Sequence, residues 1–271
     1  MDVAHYWRHP AVPGVDLMRA HYVRHGFARH THGTYAIGAV RSGVEEMLIG
    51  DEVHRVTAGG VVLINPDVVH TGHAADAGGW TYEVLYPDPA VVAEAVGSDD
   101  PWFREPVVYD PAAAAAIFRA HRAAASGDRL ASGTLLTTAL SALWQGYGGG
   151  PRRPAEPDDD RAVAAAREIL HERTVDPPSL AELAAEVGAG QFALVRAFRA
   201  RHGLPPHAYL NQLRVRHACA LLAAGEPAAT VAVTVGFTDQ SHLSRHFLRT
   251  VGVTPGRYRR KNVQDRRGPG S

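Results

Sequence analysis

Between residues 20 and 90 the chain alternates short β-branched and aliphatic runs, such as Val61 to Ile64 (VVLI), with turns rich in Gly and Asp, such as IGD and TAGG. Many short strands at this spacing predict a β-barrel or sandwich. From Pro111 to Trp144 the apolar period changes to that of helices. PAAAAAIFRAHRAAASG places Ile117, Phe118 and His121 on one face, and LASGTLLTTALSALWQG places Leu135, Leu136, Ala139, Leu140 and Leu143 on another. Gly127 and Asp128 separate the two, so a helical hairpin is predicted, either packed on the barrel or offered to a second subunit. The stretch GYGGGPRRPAEPDDD, residues 146–160, combines Gly, Pro and charge and predicts a solvated tether.

After the tether the pattern is helical almost throughout, and it repeats. SLAELAAEVGAGQFALVRAFRARHG begins at Ser179 and ATVAVTVGFTDQSHLSRHFLRTVG at Ala229, so that Leu194, Arg196, Phe198 and Gly203 correspond to Leu243, Arg245, Phe247 and Gly252. Each unit is a short apolar helix, a tight turn and a second helix closing at a Gly. In the second unit Asp239 is placed as an N-cap, and Phe237, Leu243, Phe247 and Leu248 form the side to be buried. Gln240, Ser241, Ser244 and Arg245 then lie on the opposite side. A helix-turn-helix needs this division, because its second helix enters the major groove with its N-terminal residues against base edges.

Arg binds guanine O6 and N7 bidentately and Gln does the same with adenine N6 and N7, so Arg245 and Gln240 are the principal candidate base readers. The equivalent positions of the first unit hold Gln191, Phe192, Val195 and Arg196, where apolar contact with thymine methyl groups replaces some hydrogen bonding. Arg199 and Arg249, a turn further along, are placed to reach phosphates.

A chain of 271 residues has room for two domains with separate cores. Its 45% hydrophobic and 21% charged residues describe a globular protein. Cys219 is the only cysteine, which excludes an intramolecular disulfide and a cysteine-based zinc cluster. Neither a signal-peptide pattern nor an apolar run long enough to span a bilayer is present, so a cytoplasmic protein without a membrane partner is expected. The net charge of zero conceals an asymmetry. Residues 1–150 carry 10 Arg and no Lys against 16 acids, whereas 151–271 carry 18 Lys and Arg against 12 acids. A basic second half suggests a nucleic-acid partner.

The segments SLAELAAEVG, LVRAFRARHGLPPHAYLNQLRVRHACALL and VGFTDQSHLSRHFLRTVGVTPGRYRR resemble the double helix-turn-helix domain of the AraC/XylS family of bacterial transcription regulators. The resemblance covers residues 161–262 and implies a connecting helix, here Ala208 to Ala224, with Leu210, Leu213, Ala218, Leu221 and Leu222 turned inward. Gly190 departs from the Ser usual in that family at the first reading helix, though Gly caps nearly as well. ARHTHGTYAIGAV, GGVVLINPDVVHTGH and GGWTYEVLYP resemble the cupin-like sensing domain found ahead of such a domain.

The fold expected is therefore α+β and multidomain. It comprises a cupin-like β-barrel with a helical hairpin for effector binding and dimerisation (1–147), a linker (148–160), an all-α double helix-turn-helix (161–262) and a disordered tail (263–271). The family resemblance implies a sequence-specific regulator, not an enzyme, whose partners are double-stranded DNA, a small-molecule effector, a second copy in a homodimer and, for an activator, RNA polymerase.

Alternation puts His30 and His32 on one strand face, and His70 follows the Pro66 turn where metal-dependent cupins present a ligand. Three convergent imidazoles could hold Zn, Fe or Ni, and they motivate a rival interpretation as a metal-dependent cupin enzyme with an accessory DNA-binding domain. The cupin pattern also expects a Glu about four residues beyond His32, where Ala36 and Ile37 stand, so no cofactor is expected. Such a barrel encloses a pocket, and His30, His32, Tyr35, Asn65, His70, Trp80, Tyr82 and Tyr86 are the candidate effector contacts.

Overall fold

The structure, a computed structural model, describes residues 1–149 and 160–259. These fall into two compact units, one on either side of the tether. Most of the expected linker, the last residues of the expected DNA-binding domain and the expected disordered tail lie outside the described residues.

The first unit contains nine strands: β1 (Val3–Arg8), β2 (Val15–Tyr22), β3 (Phe27–His30), β4 (Ala36–Ile49), β5 (Glu52–Thr57), β6 (Gly60–Ile64), β7 (His70–Ala74), β8 (Trp80–Pro87) and β9 (Val107–Tyr109). One antiparallel set runs β1-β2-β8-β4-β6-β9, and β5, β7 and β3 extend from the far half of β4. Strand β4 belongs to both sets. Its first half pairs with β8 and β6 (Ile37 opposite Leu85 and Leu63), and its second half pairs with β5 and β7 (Ile49 opposite Glu52 and His70). The register against β8 slips between Val40 and Ser42. Gly43 follows with a φ of 77°, so close to its neighbour that a Cβ would come within 2.0 Å of the Gly79 carbonyl oxygen. Bulge and glycine together bend the strand and fold the sheet over an internal cavity.

This curvature explains why several strands lack polar alternation. All five residues of β6 are buried. Val61 and Leu63 point to a core shared with the helices, while Val62 and Ile64 point into the cavity. The same sorting puts Ile37 and Leu85 on the helical side and Ala36, Gly38, Tyr82, Val84 and Tyr86 on the cavity side. A strand covered on both faces is apolar on both.

Three helices cover the outer face: α1 (Pro89–Val96), α2 (Pro111–Ser126) and α3 (Arg129–Tyr147). Asp110 caps α2 by accepting from the Ala112 and Ala113 amides, and Asp128 caps α3 by accepting from Ala131. Ile117, Leu136, Leu140 and Leu143 pack with Val15, Leu17, Ile37, Leu63 and Leu85 in one core. Of the two roles open to the hairpin stripe, packing on the barrel is seen for Ile117, Leu136, Leu140 and Leu143, while Leu135 is half-buried outside that core. Phe118 is half-buried against the same core, under the Arg41 guanidinium at 4.0 Å.

The second unit is built of α4 (Asp160–Glu172), α5 (Leu180–Glu186), α6 (Gln191–His202), α7 (Pro206–Ala224), α8 (Ala228–Thr234) and α9 (Gln240–Val251). The pairs α5/α6 and α8/α9 are the repeated units, and their turns match in detail. Val187 and Val235 end the first helices with φ of −96° and −94°, and Gly188 and Gly236 follow in the left-handed region at 67° and 91°. The amides of Ala189 and Phe237 then donate back to the Ala184 and Ala232 carbonyls, at 2.9 and 2.8 Å.

Helix α7 begins two residues before the expected start, at Pro206, and its 19 residues span about 28 Å. Leu210, Leu213, Ala218 and Leu222 are buried as expected, but Leu221 is only half-buried. Leu248 also departs from expectation. It is 38% exposed, because it lies a residue past Phe247 and turns away from the stripe that Leu243 and Phe247 bury. Tyr258 packs on the Phe247 ring instead, at 5.4 Å between centroids.

Candidate functional site

The bend in β4 leaves a cavity of about 460 Å³, its mouth included, between β3, β4, β6, β7 and β8. Its walls are chiefly apolar, among them Phe27, Met47, Val62, Ile64 and Val84. The polar residues that line it are His30, His32, His70, Thr71, Tyr82, Tyr86 and Glu45, and no Lys or Arg is among the lining residues.

His30 closes β3 and stands opposite His70, the first residue of β7. Strand β3 ends at His30, so His32 lies beyond it and its position does not come from strand alternation as expected. The following turn nevertheless brings it back, and the Nε2 atoms of His30 and His32 are 3.2 Å apart. One ligating nitrogen from each of the three histidines lies within 4.8 Å of the others. The Nδ1 atoms of His30 and His70 face the Ala28 and Val68 carbonyls at 2.8 and 3.0 Å. A ring nitrogen facing a carbonyl must carry the proton, which leaves Nε2 of each as an acceptor. Burial holds His30 well below the ordinary imidazole range and His70 down at about 4, so both are neutral near pH 7. The neutral imidazoles of His30 and His70, with the His32 ring beside them, can form hydrogen bonds or ligate a cation. Ala36 lines the cavity and Ile37 is in the opposite core, so neither supplies the carboxylate that the metal-binding pattern calls for.

Three expected contacts do not line the cavity. The Tyr35 hydroxyl donates to the Pro101 carbonyl. The Asn65 side chain donates to the Phe103 carbonyl and accepts from its amide, both at 2.9 Å, tying the loop before β9 to β6. Trp80 is fully buried beside Tyr22 and Tyr82. All three hold the barrel together rather than face a ligand.

Glu45 was not anticipated. It is 4% exposed, and burial raises its carboxyl from 4.5 to about 8. Its Oε1 lies over Gly72, where a Cβ would stand 2.7 Å away. The legible signal was the pair Glu45–Glu46 in a strand, since adjacent residues take opposite faces. Glu46 faces outward to Arg55 and His73, at 2.8 and 3.3 Å, so Glu45 must face inward.

In the second unit the two reading helices bury Leu194 and Phe198, or Leu243 and Phe247, against the rest of the domain. Gln191, Phe192, Arg196 and Arg199 of α6 and Gln240, Ser241, Arg245 and Arg249 of α9 are exposed, while Val195 and Ser244 are half-buried. Phe192 is 84% exposed, an unusual position for a phenyl ring without a partner. Asp239 caps α9 by accepting from the His242 amide at 2.8 Å, whereas Gly190 makes no side-chain cap for α6.

Arg214 of α7 is a positioning residue that the sequence pattern did not single out. It is 8% exposed, and its guanidinium donates to the Thr174 and Val175 carbonyls at 2.9 and 3.3 Å. It also lies against the turn of the second pair, so close that a Cβ on Gly236 would meet its Nε at 2.9 Å. One side chain thus holds the approach to α5 and the turn before α9.

Comparison with known proteins agrees with this geometry. The AraC-like ligand binding domain family matches residues 12–140, and a helix-turn-helix domain family matches residues 183–261. An uncharacterized HTH-type transcriptional regulator of Bacillus subtilis, YbfI, is 25% identical over 235 residues, covering 84% of this chain and 86% of that protein. The MmsAB operon regulatory protein of Pseudomonas aeruginosa is 32% identical over 112 residues, 41% of this chain and 35% of that one. Among solved structures, ToxT from Vibrio cholerae superposes with a TM-score of 0.56 at 12% identity, covering 96% of this chain and 97% of that one. ToxT with a bound unsaturated fatty acid superposes at 0.52 and 13%, covering 96% and 94%. The chain belongs to the AraC family of transcription regulators, with an AraC-like ligand-binding domain followed by a helix-turn-helix DNA-binding domain.

Proposed function

We propose that α6 and α9 read successive stretches of the major groove and that an effector in the barrel cavity governs the outcome. The observation that carries the first part is a set of four exposed arginines, Arg196, Arg199, Arg245 and Arg249, with no acidic partner among the described residues. In α9 Gln240, Ser241, Ser244 and Arg245 address base edges and Arg249 a phosphate. In α6 Gln191 and Arg196 do the same beside an apolar pair, Phe192 and Val195, suited to thymine methyl groups, with Arg199 on the backbone.

The second part rests on the cavity and its few convergent polar groups, His30, His32, His70, Glu45, Thr71, Tyr82 and Tyr86. In this proposal the histidines serve as hydrogen-bonding groups, the chain is not a catalyst, and it acts in the cytoplasm where its DNA is. A homodimer and, for activation, contact with RNA polymerase belong to the same proposal. One of the ToxT structures holds an unsaturated fatty acid. Here a fatty carboxylate would meet Glu45 with no Lys or Arg among the lining residues, so the proposal does not extend to that ligand.

The test is a gel-shift survey of the DNA flanking the chain's own gene. At least one segment should hold the protein at moderate salt against excess nonspecific DNA. Binding that vanishes with competitor from every segment would sink the proposal.

A further inference from the structure

The barrel holds two buried glutamates on neighbouring strands, treated in opposite ways. Glu83 of β8 faces the helices and meets the Arg19 and Arg41 guanidinium groups, each at 2.9 Å. Glu45 of β4 faces the cavity, equally buried, with no hydrogen-bond or ion-pair partner for its carboxylate among the described residues. An uncompensated buried carboxylate destabilises a fold, because the charge has left water without gaining a counter-ion. Such a group lining a cavity points to a partner that comes from outside.

The surroundings define its chemistry. Phe27, Tyr82 and Tyr86 present aromatic surface to the same space. The acceptor nitrogen of His70 adds a lone pair, that of His30 being taken up by His32, and no Lys or Arg lines the walls. A carboxylate among aromatic faces and acceptors complements an organic cation, which gains both ion pairing and cation–π attraction once desolvated. Met47, Val62, Ile64 and Val84 supply an apolar berth for the rest of the molecule.

We propose that the effector is an amphiphilic amine or ammonium compound, its cationic head on Glu45 and its hydrocarbon body along the apolar wall. The proposal rests on the cavity being the effector site. In the empty cavity near pH 7 burial keeps the Glu45 carboxyl largely protonated. An entering ammonium group stabilises the carboxylate, and the displaced proton passes to solvent. Binding is therefore accompanied by proton release.

Three probes of equal chain length separate the possibilities: n-octylammonium, 1-octanol and octanoate, titrated calorimetrically into the full chain at pH 7 in two buffers of different ionisation enthalpy. Octylammonium should bind at least tenfold more tightly than the other two and release a proton, and Glu45→Gln should reduce it to the level of octanol. Octanol or octanoate binding as tightly as octylammonium would overturn the amine assignment while leaving the cavity as a ligand site. An ammonium preference surviving in Glu45→Gln would overturn it too, by locating the cation elsewhere. Failure of all three probes to bind would remove the cavity assignment along with it. The comparison among probes on the unaltered chain needs no variant to fold.

Discussion

The two units handle charge in opposite ways. The barrel takes ionisable groups out of water: Glu45, Glu83, His30, His70 and His121 are all buried. The helical unit leaves its arginines in solvent, with Arg214 the one deep exception among the described residues. A small molecule is best discriminated where water is excluded, since there each hydrogen bond and charge counts for more. DNA is a rigid polyanion too large to enclose, so its reader must hold charge and hydrogen-bonding groups outward on a stiff frame. The contrast also divides the consequences of mutation. Changes inside the barrel should appear in stability and its dependence on pH, and changes on the reading helices in affinity and its dependence on salt.

The largest expected effect tests the barrel side. Burial raises the Glu45 carboxyl from 4.5 to about 8, so between those values the folded chain keeps a proton that the unfolded chain gives up. The unfolded state then binds fewer protons, and stability falls as pH rises through this window, by about 1.4 kcal/mol per unit. Below about 4.5 the carboxyl is protonated in both states and the penalty is gone. His70 and His121, depressed by burial to about 4 and about 3, act in the opposite sense below their unfolded value of 6.5. The difference between variant and parent isolates Glu45 from them. Glu45→Gln should raise Tm by calorimetry, and the gain should be greater at pH 8 than at pH 5. A gain independent of pH would mean that Glu45 ionises as it does in water.

Arg214 tests whether the helical unit tolerates the barrel's treatment of charge. Arg214→Met keeps most of the stem but leaves the Thr174 and Val175 carbonyls without their donor. The loss should be about 2–3 kcal/mol in urea unfolding, the range for hydrogen bonds from a charged group. Because the same side chain fixes the turn before α9, DNA affinity should fall in addition, though no DNA contact is removed. Unchanged stability would show the guanidinium to be replaceable by packing.

How much of this was legible in the sequence follows from the same contrast. The reading helices show their function on the surface, at helical spacing, and the repeat of Leu, Arg, Phe and Gly fixed both the buried stripe and the exposed residues. Leu248, at the edge of the stripe, and Leu221 of α7 fell on the wrong side, and Val195 and Ser244 are half-buried on the face expected to be open. The cavity is a product of tertiary folding. Whether Tyr35 or Tyr86 faces it depends on where β4 bends and on which face the helices cover, and no local period encodes either. Tyr35 and Asn65 had the right chemistry on the wrong side of the sheet, and Trp80, on the same face of β8 as Tyr82, is packed against Tyr22 beyond the cavity lining. Glu45 was hidden because an acid in a strand is ordinarily turned to water, and Arg214 because an arginine on a basic domain is ordinarily on its surface.

On the reading side the sharpest test is specificity. Arg245 projects from the first turns of α9 beside Gln240 and Ser241, opposite the buried Leu243 and Phe247. Arg245→Ala should cost about 1–3 kcal/mol on the preferred site and relax the preference at one base position, as expected for loss of a bidentate contact to guanine. Selection from a randomised site library reads both quantities. Equal loss on every sequence would make Arg245 a phosphate contact.

Arg249 carries the smallest expected effect and the cleanest contrast with the barrel. It lies one turn beyond Arg245, is exposed, and has no acidic partner among the described residues. In the proposed binding mode it reaches the backbone, where every sequence offers the same phosphate. Each phosphate neutralised releases condensed counterions, so log affinity falls with log salt by about 0.9 per contact. Arg249→Ala should therefore weaken binding severalfold and uniformly, and flatten the salt slope by about one, while base preference stays as in the parent. Ligand binding in the cavity, which releases no condensed counterions, should show no such dependence in either protein. A changed base preference in Arg249→Ala would move this residue into the base-reading set, and a salt-steep effector affinity would erase the division of labour between the two units.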